Sequence, residues 1–177
     1  MPIHQIEARI SLIQAAFESC YPAIFRYFRY KGADVDTAND RASSVFERAF
    51  SNIDQYDPRI ARIQTWLFAI ARNLAINHWK SQLVNSTTVM EDELLVQDSP
   101  SLEDHIIILQ DKEMVLQAMQ TLDERAVEII SLKFGGSLTN REISRLTGLS
   151  ESNVGVILYR SLIKLRSLLA IVQTEAP

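Results

Sequence analysis

The stretch that decides the fold runs from Thr139 to Arg166 and reads TNREISRLTGLSESNVGVILYRSLIKLR. Its first four residues have the pattern of a capping box, in which the Thr139 hydroxyl and the Glu142 carboxylate satisfy donors at a helix start. Gly148 permits a tight turn, and Ser150 is placed to cap the helix that follows. The spacing therefore predicts two helices joined by a short turn, the geometry of a helix-turn-helix.

The second helix of this motif has an apolar side and a polar side. Val154 and Leu158 are expected to face the first helix. The predicted buried stripe consists, at helical spacing, of Val154, Leu158, either Ser161 or Leu162, Leu165 and Leu169. In DNA-binding proteins of this architecture the opposite side enters the major groove, where arginine pairs with guanine and asparagine with adenine. A plain helical hairpin with a solvated charged face would show the same pattern, so both interpretations stand at this point. The predicted outer side consists of Ser152, Asn153, Val156, Tyr159, Arg160 and Lys164.

Upstream, residues 46–80 read FERAFSNIDQYDPRIARIQTWLFAIARNLAINHWK. A polar turn from Asn52 to Pro58 precedes a helix predicted from about Ile60 to Lys80, which carries basic residues and no acid. Interleaved cations and aromatic rings suit single-stranded nucleic acid, because cations follow phosphates while rings accept unstacked bases. Helical spacing also fits a core role, and Trp66 is expected to belong to the core.

The rest of the chain is also predicted to be helical. No strand pattern of comparable strength appears, and glycine and proline fall at boundaries. The fold class is therefore all-α, with two small helical modules. In the N-terminal half, the remaining predicted helices are one with an apolar stripe from Ile3 to Phe17, a second piece from Ala23 to Tyr30 closed by Gly32, and one capped by Asp36 or Thr37 that ends near Phe50. In the C-terminal half, they are one from Ser101 through Met119, one from Leu122 to Phe134 ended by Gly135, and a last helix to about Ile171.

Composition excludes several classes of protein. The 177 residues are 47% apolar and 23% charged, which is typical of a folded globular chain. A single cysteine, Cys20, forms neither an internal disulfide nor one of the usual zinc sites, so we expect no metal and no cofactor. No long apolar run and no signal-peptide pattern appears, which favours a cytoplasmic protein with no membrane insertion.

The net charge of −4 hides a strong segregation along the chain. Residues 1–80 carry +2, residues 81–112 carry −6 and residues 113–177 carry 0. Two modules with basic patches therefore flank an acidic bridge. The periodicity fades between Ser81 and Ser101, so this segment is interpreted as a linker.

The chain resembles region 2 and region 4 of the bacterial RNA polymerase sigma factors, most closely the extracytoplasmic-function group of the sigma-70 family. The resemblance to region 2 rests on ANDRASSVFERAF, NIDQYDPR and WLFAIARNLAINHWK, and the resemblance to region 4 on residues 122–166. The implied domains are region 2 over residues 1–82, an acidic linker over 83–101 and region 4 over 102–177.

The resemblance implies a sigma factor that binds core RNA polymerase and directs initiation at promoters. Region 4 would meet the polymerase flap and read the minus-35 element, while region 2 would dock on the clamp helices of the largest subunit and trap bases of the minus-10 element. Members of the group are commonly held inactive by an anti-sigma factor, so such a partner is expected. The implied polymerase contacts are Asp40, Val45, Phe46, Arg48 and Phe50. The implied minus-10 residues are Asn52, Asp54, Gln55, Tyr56, Arg59, Arg62, Arg72, Asn73, Asn77, His78 and Lys80. The implied minus-35 residues are Ser152, Asn153, Gly155, Val156, Tyr159, Arg160 and Lys164.

Three alternatives differ in the kind of function. An enzyme is disfavoured, because no glycine-rich phosphate loop, HExxH pattern or nucleophile elbow is present, and no small-molecule substrate is expected. A one-component helix-turn-helix regulator would bind palindromic duplex DNA as a dimer without the polymerase. A pure interaction protein would use a sigma-like surface as a decoy.

The acidic linker is also expected to cover a basic patch and inhibit DNA binding by the free chain.

Overall fold

The computed structural model describes the backbone of residues 3–82 and 113–175, and the side chains of residues 9–76 and 113–170. All regular structure in these ranges is helical, in agreement with the predicted all-α class. The predicted helix start at Ser101 and the acidic linker lie outside the described residues. In chain order the helices are α1 (Ile3–Tyr30), α2 (Val35–Ser51), a 3₁₀ turn (Ile53–Gln55), α3 (Ile63–Gln82), α4 (113–119 of the described residues), α5 (Glu124–Ile130), a π-helical turn (Ser131–Gly135), α6 (Asn140–Thr147) and α7 (Glu151–Glu175).

The N-terminal module is a bundle of α1, α2 and α3. The prediction of two separate pieces before Gly32 is wrong, because α1 continues through Pro22. Proline removes one backbone hydrogen bond from a helix. Here the same face of the helix is buried on both sides of it, with Cys20 before the proline and Ile24 and Tyr27 after it. Packing of that face outweighs the lost hydrogen bond.

Local signals place the ends of these helices. Gly32 adopts a left-handed φ of 85° and ends α1 as predicted. The cap of α2 is Asp34, not Asp36 or Thr37, because the Asp34 carboxylate accepts a 2.7 Å hydrogen bond from the Thr37 backbone N–H. This bond lowers the pKa of Asp34. The helix therefore begins at Val35, nearer to Gly32 by less than one turn than the sequence suggested.

The C-terminal module contains α4 to α7 and includes the predicted helix-turn-helix. The helix predicted from Leu122 to Phe134 is shorter as a regular α-helix, since it changes to a π-helical turn at Ser131 before Gly135. The last helix extends to Glu175, past the predicted end. Leu138, Ile143, Val154 and Leu158 form the centre of this module.

The two modules pack against each other instead of standing apart. Their buried apolar residues form one continuous cluster. The π-helical turn lies on α1, where a β-carbon on Gly135 would be only 3.0 Å from the backbone nitrogen of Tyr27. A β-carbon on Gly136 would be 2.8 Å from the Phe68 ring of α3. The two glycines therefore allow a backbone approach that any side chain would prevent.

Candidate nucleic-acid interface

The helix-turn-helix is built by the capping signals that the sequence predicts. Thr139 and Glu142 form both hydrogen bonds of the capping box at the start of α6. Gly148 ends α6 with a left-handed φ of 76°, and the Ser150 hydroxyl accepts from the Asn153 N–H at the start of α7. The Ser144 hydroxyl donates to the Leu149 carbonyl at 2.6 Å and ties the turn to the first helix.

The outer side of α7 is exposed as predicted. Val154 and Leu158 are buried against the rest of the module, and Ser161 is buried where the sequence left either Ser161 or Leu162. Val156 and Tyr159 are 44% and 68% exposed. The other exposed side chains of this surface are Ser152, Asn153, Arg160 and Lys164, and Gly155 is half-buried between them. Lys164 also donates a 2.6 Å hydrogen bond to the Thr121 carbonyl and so links α7 to the end of α4.

The polar turn of the N-terminal module is a 3₁₀ turn followed by an irregular loop. The Asn52 side-chain oxygen accepts from Gln55 at 3.1 Å, and the Asp57 carboxylate holds Arg59 at 2.6 Å. Asp54 forms an ion pair with Arg9 of α1. These contacts give the loop a defined shape with polar side chains on its surface.

An aromatic pair supports this loop. The ring centroids of Tyr56 and Trp66 lie 5.3 Å apart, and Trp66 packs against the core, as the sequence analysis expected. Asn73 is exposed on α3, one residue after the half-buried Arg72. The predicted minus-10 residues Asn77, His78 and Lys80 lie outside the residues whose side chains are described.

The predicted polymerase contacts on α2 separate into two groups. Asp40, Arg48 and Phe50 are exposed, and Phe50 is an apolar residue 56% open to solvent. Val45 and Phe46 are buried in the core, and Phe46 packs on Phe17 of α1. Asp40, Arg48 and Phe50 are therefore available for direct contact with a partner in this arrangement, whereas Val45 and Phe46 are not.

Glu142 connects the two modules through one of its oxygens. Its Oε2 accepts from the backbone and hydroxyl of Thr139 within the capping box. Its Oε1 accepts from Arg62 at 2.9 and 2.5 Å and from the Thr65 hydroxyl at 2.8 Å, both on the N-terminal module. Burial raises the pKa of Glu142, but the hydrogen bonds from Thr139, Arg62 and Thr65 outweigh it and lower the pKa from 4.5 to about 2.

Glu128 of α5 forms the second polar connection between the modules. Its carboxylate accepts from Lys31 at 2.5 Å and from the Tyr27 hydroxyl at 3.1 Å, and Arg72 lies 3.4 Å away. The side chains of Glu128 and Lys31 are only 12% and 5% exposed. Burial, and then the neighbouring Glu128 charge, raise the pKa of Tyr27 well above 10, so its hydroxyl remains a donor.

Sequence reasoning missed this interface. It treated Glu142 only as a cap, and it assigned Arg62 and Arg72 to nucleic acid. A signal was present in Glu128, an acid between Val127 and Ile129 in an otherwise apolar run. A carboxylate in such a run needs a partner when it is buried. Nothing in the sequence indicated which residues would supply that partner.

No cluster of three or more histidine, cysteine or acidic side chains capable of holding a metal ion occurs among the described residues. None of the helices in the described ranges is long and apolar enough to cross a membrane.

Comparison with known proteins assigns both modules to the same family. The family model for sigma-70 region 2 matches residues 16–83, and the model for sigma-70 region 4 matches residues 112–165. The chain is 31% identical over 149 residues to the ECF RNA polymerase sigma factor BldN of Streptomyces coelicolor, covering 82% of this chain and 56% of that protein. It is 26% identical to the ECF sigma factor SigM of Bacillus subtilis, covering 82% of this chain and 87% of that protein.

The fold agrees with this assignment. CnrH, solved in complex with the cytosolic domain of CnrY, superimposes with a TM-score of 0.65 over 93% of this chain and 89% of that chain, at 17% identity. The modules in their order thus define a sigma-70-type transcription factor. The chain belongs to the extracytoplasmic-function (ECF) sigma factors of the sigma-70 family.

Proposed function

We propose that this chain binds core RNA polymerase and directs it to a specific set of promoters, as a non-catalytic initiation factor. The observation that carries the proposal is the presence of region 2 and region 4 in order on one chain, each with its matching family model. The proposed domains are residues 1–82, 83–101 and 102–177. The flap and the clamp helices of the polymerase are the proposed docking sites.

Recognition of the minus-35 element is proposed for the outer side of α7. Asn153 and Arg160 offer the side chains that hydrogen-bond to base edges, and both are exposed. Val156 and Tyr159 add apolar surface that can contact thymine methyl groups. Lys164 has a structural contact with Thr121, so its share in DNA binding is expected to be the smallest of this surface.

Recognition and opening at the minus-10 element are proposed for the Asn52–Pro58 loop and α3. Extruding a base costs a few kcal/mol of stacking, and a protein offsets this by holding the freed base in a pocket. The loop would hold such a base, and Asn73 and the cations of α3 would follow the adjoining strand. Opening would then need no ATP.

The closed arrangement of the two modules bears on this proposal. Arg62 is paired with Glu142, and Arg72 lies beside Glu128, so region 4 covers part of the cationic surface that region 2 would offer to DNA. The outer side of α7 is exposed in the same arrangement. We infer that the modules separate before region 2 binds a melted strand.

An anti-sigma partner is proposed as well. CnrH, which shares the fold, was solved with a bound partner domain. The apolar exposed residues of α7 offer a surface for such a partner in this chain. Core polymerase and promoter DNA remain the primary partners of the proposal.

The test is transcription by core polymerase on a genomic fragment library, with and without the purified chain. New transcript starts that share two upstream elements at a fixed spacing support a sigma factor. Arg160→Ala should weaken use of the upstream element, whereas Asn73→Ala should impair strand opening measured by permanganate reactivity. Equal loss of both steps in both variants would mean that the two modules are assigned incorrectly.

The alternative function is a one-component regulator. Its helix-turn-helix surface would be the same, but the chain would bind palindromic duplex DNA as a dimer without polymerase. Gel-shift and sedimentation experiments on the free chain separate the two functions. Autonomous dimeric binding, with no polymerase-dependent initiation, would favour the regulator.

A further inference from the structure

A cleft with a volume of about 440 Å³ lies between the two modules. One wall comes from residues 58–62 and Thr65 of the N-terminal module, and the other from the start of α6. Two arginines from each side line it: Arg59 and Arg62 on one wall, Arg141 and Arg145 on the other. Four arginines therefore line one small cleft that exists only while the modules are closed.

The positive charge of this cleft is only half compensated. Arg59 is paired with Asp57, and Arg62 with Glu142. Among the described residues Arg141 and Arg145 have neither an ion pair nor a side-chain hydrogen bond, and both are exposed. Four arginines and the two carboxylates that pair with Arg59 and Arg62 give the site a net charge of about +2, and the two uncompensated cations both lie on the α6 wall.

The chemistry of arginine indicates the class of ligand. A guanidinium group presents several N–H donors in a rigid plane that matches two oxygens of a phosphate. Arginines on facing walls suit a short anion with several charges, because one such anion can accept hydrogen bonds from both walls at once. A long strand would instead require cations arranged along an open groove.

We propose that this cleft binds a compact oligophosphate, such as free tripolyphosphate or the phosphate tail of a nucleotide. The bound anion bridges Arg59 and Arg62 to Arg141 and Arg145 and favours the closed arrangement. Since it binds the closed form and not the open one, it shifts the population toward closure in proportion to its concentration over its Kd. This inference rests on the cleft and does not require that the chain initiate transcription.

The first experiment is isothermal titration of the full chain with sodium tripolyphosphate in 150 mM salt. We expect saturable binding with a stoichiometry of one. The double variant Arg141→Gln, Arg145→Gln should weaken the affinity at least tenfold, and Arg59→Gln should weaken it severalfold. The matched control is Arg125→Gln with Arg166→Gln, which removes two exposed charges from the same C-terminal module outside the cleft.

Several outcomes would overturn the proposal. Absence of saturable binding, or equal weakening in the control double variant, would show only nonspecific charge attraction. Loss in the Arg141, Arg145 variant with no change in Arg59→Gln would place the anion on region 4 alone. A single-stranded oligonucleotide that binds more tightly than tripolyphosphate with the same variant dependence would make nucleic acid the occupant.

A second readout tests the bridging itself. Spin labels on the two modules, at Ser43→Cys and Ser152→Cys, report the distance between α2 and α7, both positions being exposed. Tripolyphosphate should increase the fraction of the short, closed distance in the parent chain and leave the Arg141→Gln, Arg145→Gln distribution unchanged. An increase in the long-distance fraction on binding would contradict a bridging anion. Promoter initiation need not be measured, so failure here is distinct from failure of the sigma function.

Discussion

Replacement of Glu128 by alanine should open the two modules. Glu128 is the buried carboxylate that accepts from Lys31 at 2.5 Å and from Tyr27 at 3.1 Å across the interface. Breaking a buried ion pair by removing one partner costs about 3–5 kcal/mol, because the remaining charge keeps its desolvation cost. Each 1.36 kcal/mol is tenfold in an equilibrium constant. The ratio of closed to open protein should therefore fall by at least about a hundredfold.

The assay is double electron–electron resonance with the labels at Ser43→Cys and Ser152→Cys. The native Cys20 is buried and stays in place. The parent chain should give a distribution dominated by the short, closed distance, and Glu128→Ala a broad distribution at longer distance. Glu124→Gln is the matched control, since it removes a negative charge from an exposed position of the same helix.

A second variant separates opening from unfolding. Glu128→Gln keeps the shape and an acceptor for the Tyr27 hydroxyl but loses the charge that faces Lys31, so its effect should be intermediate. Circular dichroism should show the parent helix content in both variants. A narrow, short distance retained in Glu128→Ala, with normal helix content, would refute the assignment of this carboxylate as a main tie between the modules.

Three further predictions test neighbouring features. Gly135→Ala should open the interface by steric conflict, since its β-carbon would lie 3.0 Å from the Tyr27 backbone nitrogen, whereas Gly155→Ala, whose β-carbon meets only Asn140 at 3.9 Å, should leave the label distance unchanged. Thr139→Ala removes the cap hydroxyl of α6 and should lower the free energy of unfolding by about 1 kcal/mol in urea titrations, while equal stability would contradict the capping role. The pKa of Glu142 is lowered to about 2, so the stability that it contributes is complete above about pH 4.5 and is lost as the pH falls toward 2. This loss amounts to about 3 kcal/mol and should be absent from the urea midpoints of Glu142→Gln; an identical acid dependence in that variant would exclude Glu142 as its source.

Short-range signals made most of the local structure predictable. The Thr139 capping box, the left-handed Gly148 and the Ser150 cap lie within a few residues of the groups that they satisfy, so the sequence alone indicates them. The buried and exposed sides of α7 follow from helical spacing in the same way. For such features, the physical cause and its effect are close together in the chain.

Long-range features were not predictable, because the groups that cause them lie far apart in the sequence. Pro22 normally signals a break, yet the packing of α1 against two other helices decided its continuity. The Glu142 contact with Arg62 joins residues 80 positions apart, and the Tyr27 contact with Glu128 joins residues 101 apart. Charge segregation along the sequence showed that cations lie on both modules. It did not indicate that carboxylates of region 4 pair with the cations of region 2.

Under the proposed function, the interface between the modules would couple binding to polymerase with opening of the chain. If only the open form docks, the apparent dissociation constant equals the intrinsic one divided by the open fraction. Variants that weaken the interface, such as Glu128→Ala, would then tighten polymerase binding until the chain is fully open, and further weakening would have no effect. Loss of a proposed docking residue such as the exposed Phe50 would weaken binding in both the closed and the opened background by the same factor. The free-energy changes of Glu128→Ala and of the Phe50 replacement should add, because the two sites share no contacts. Additivity would indicate that the interface sets the open fraction while Phe50 contributes to docking itself.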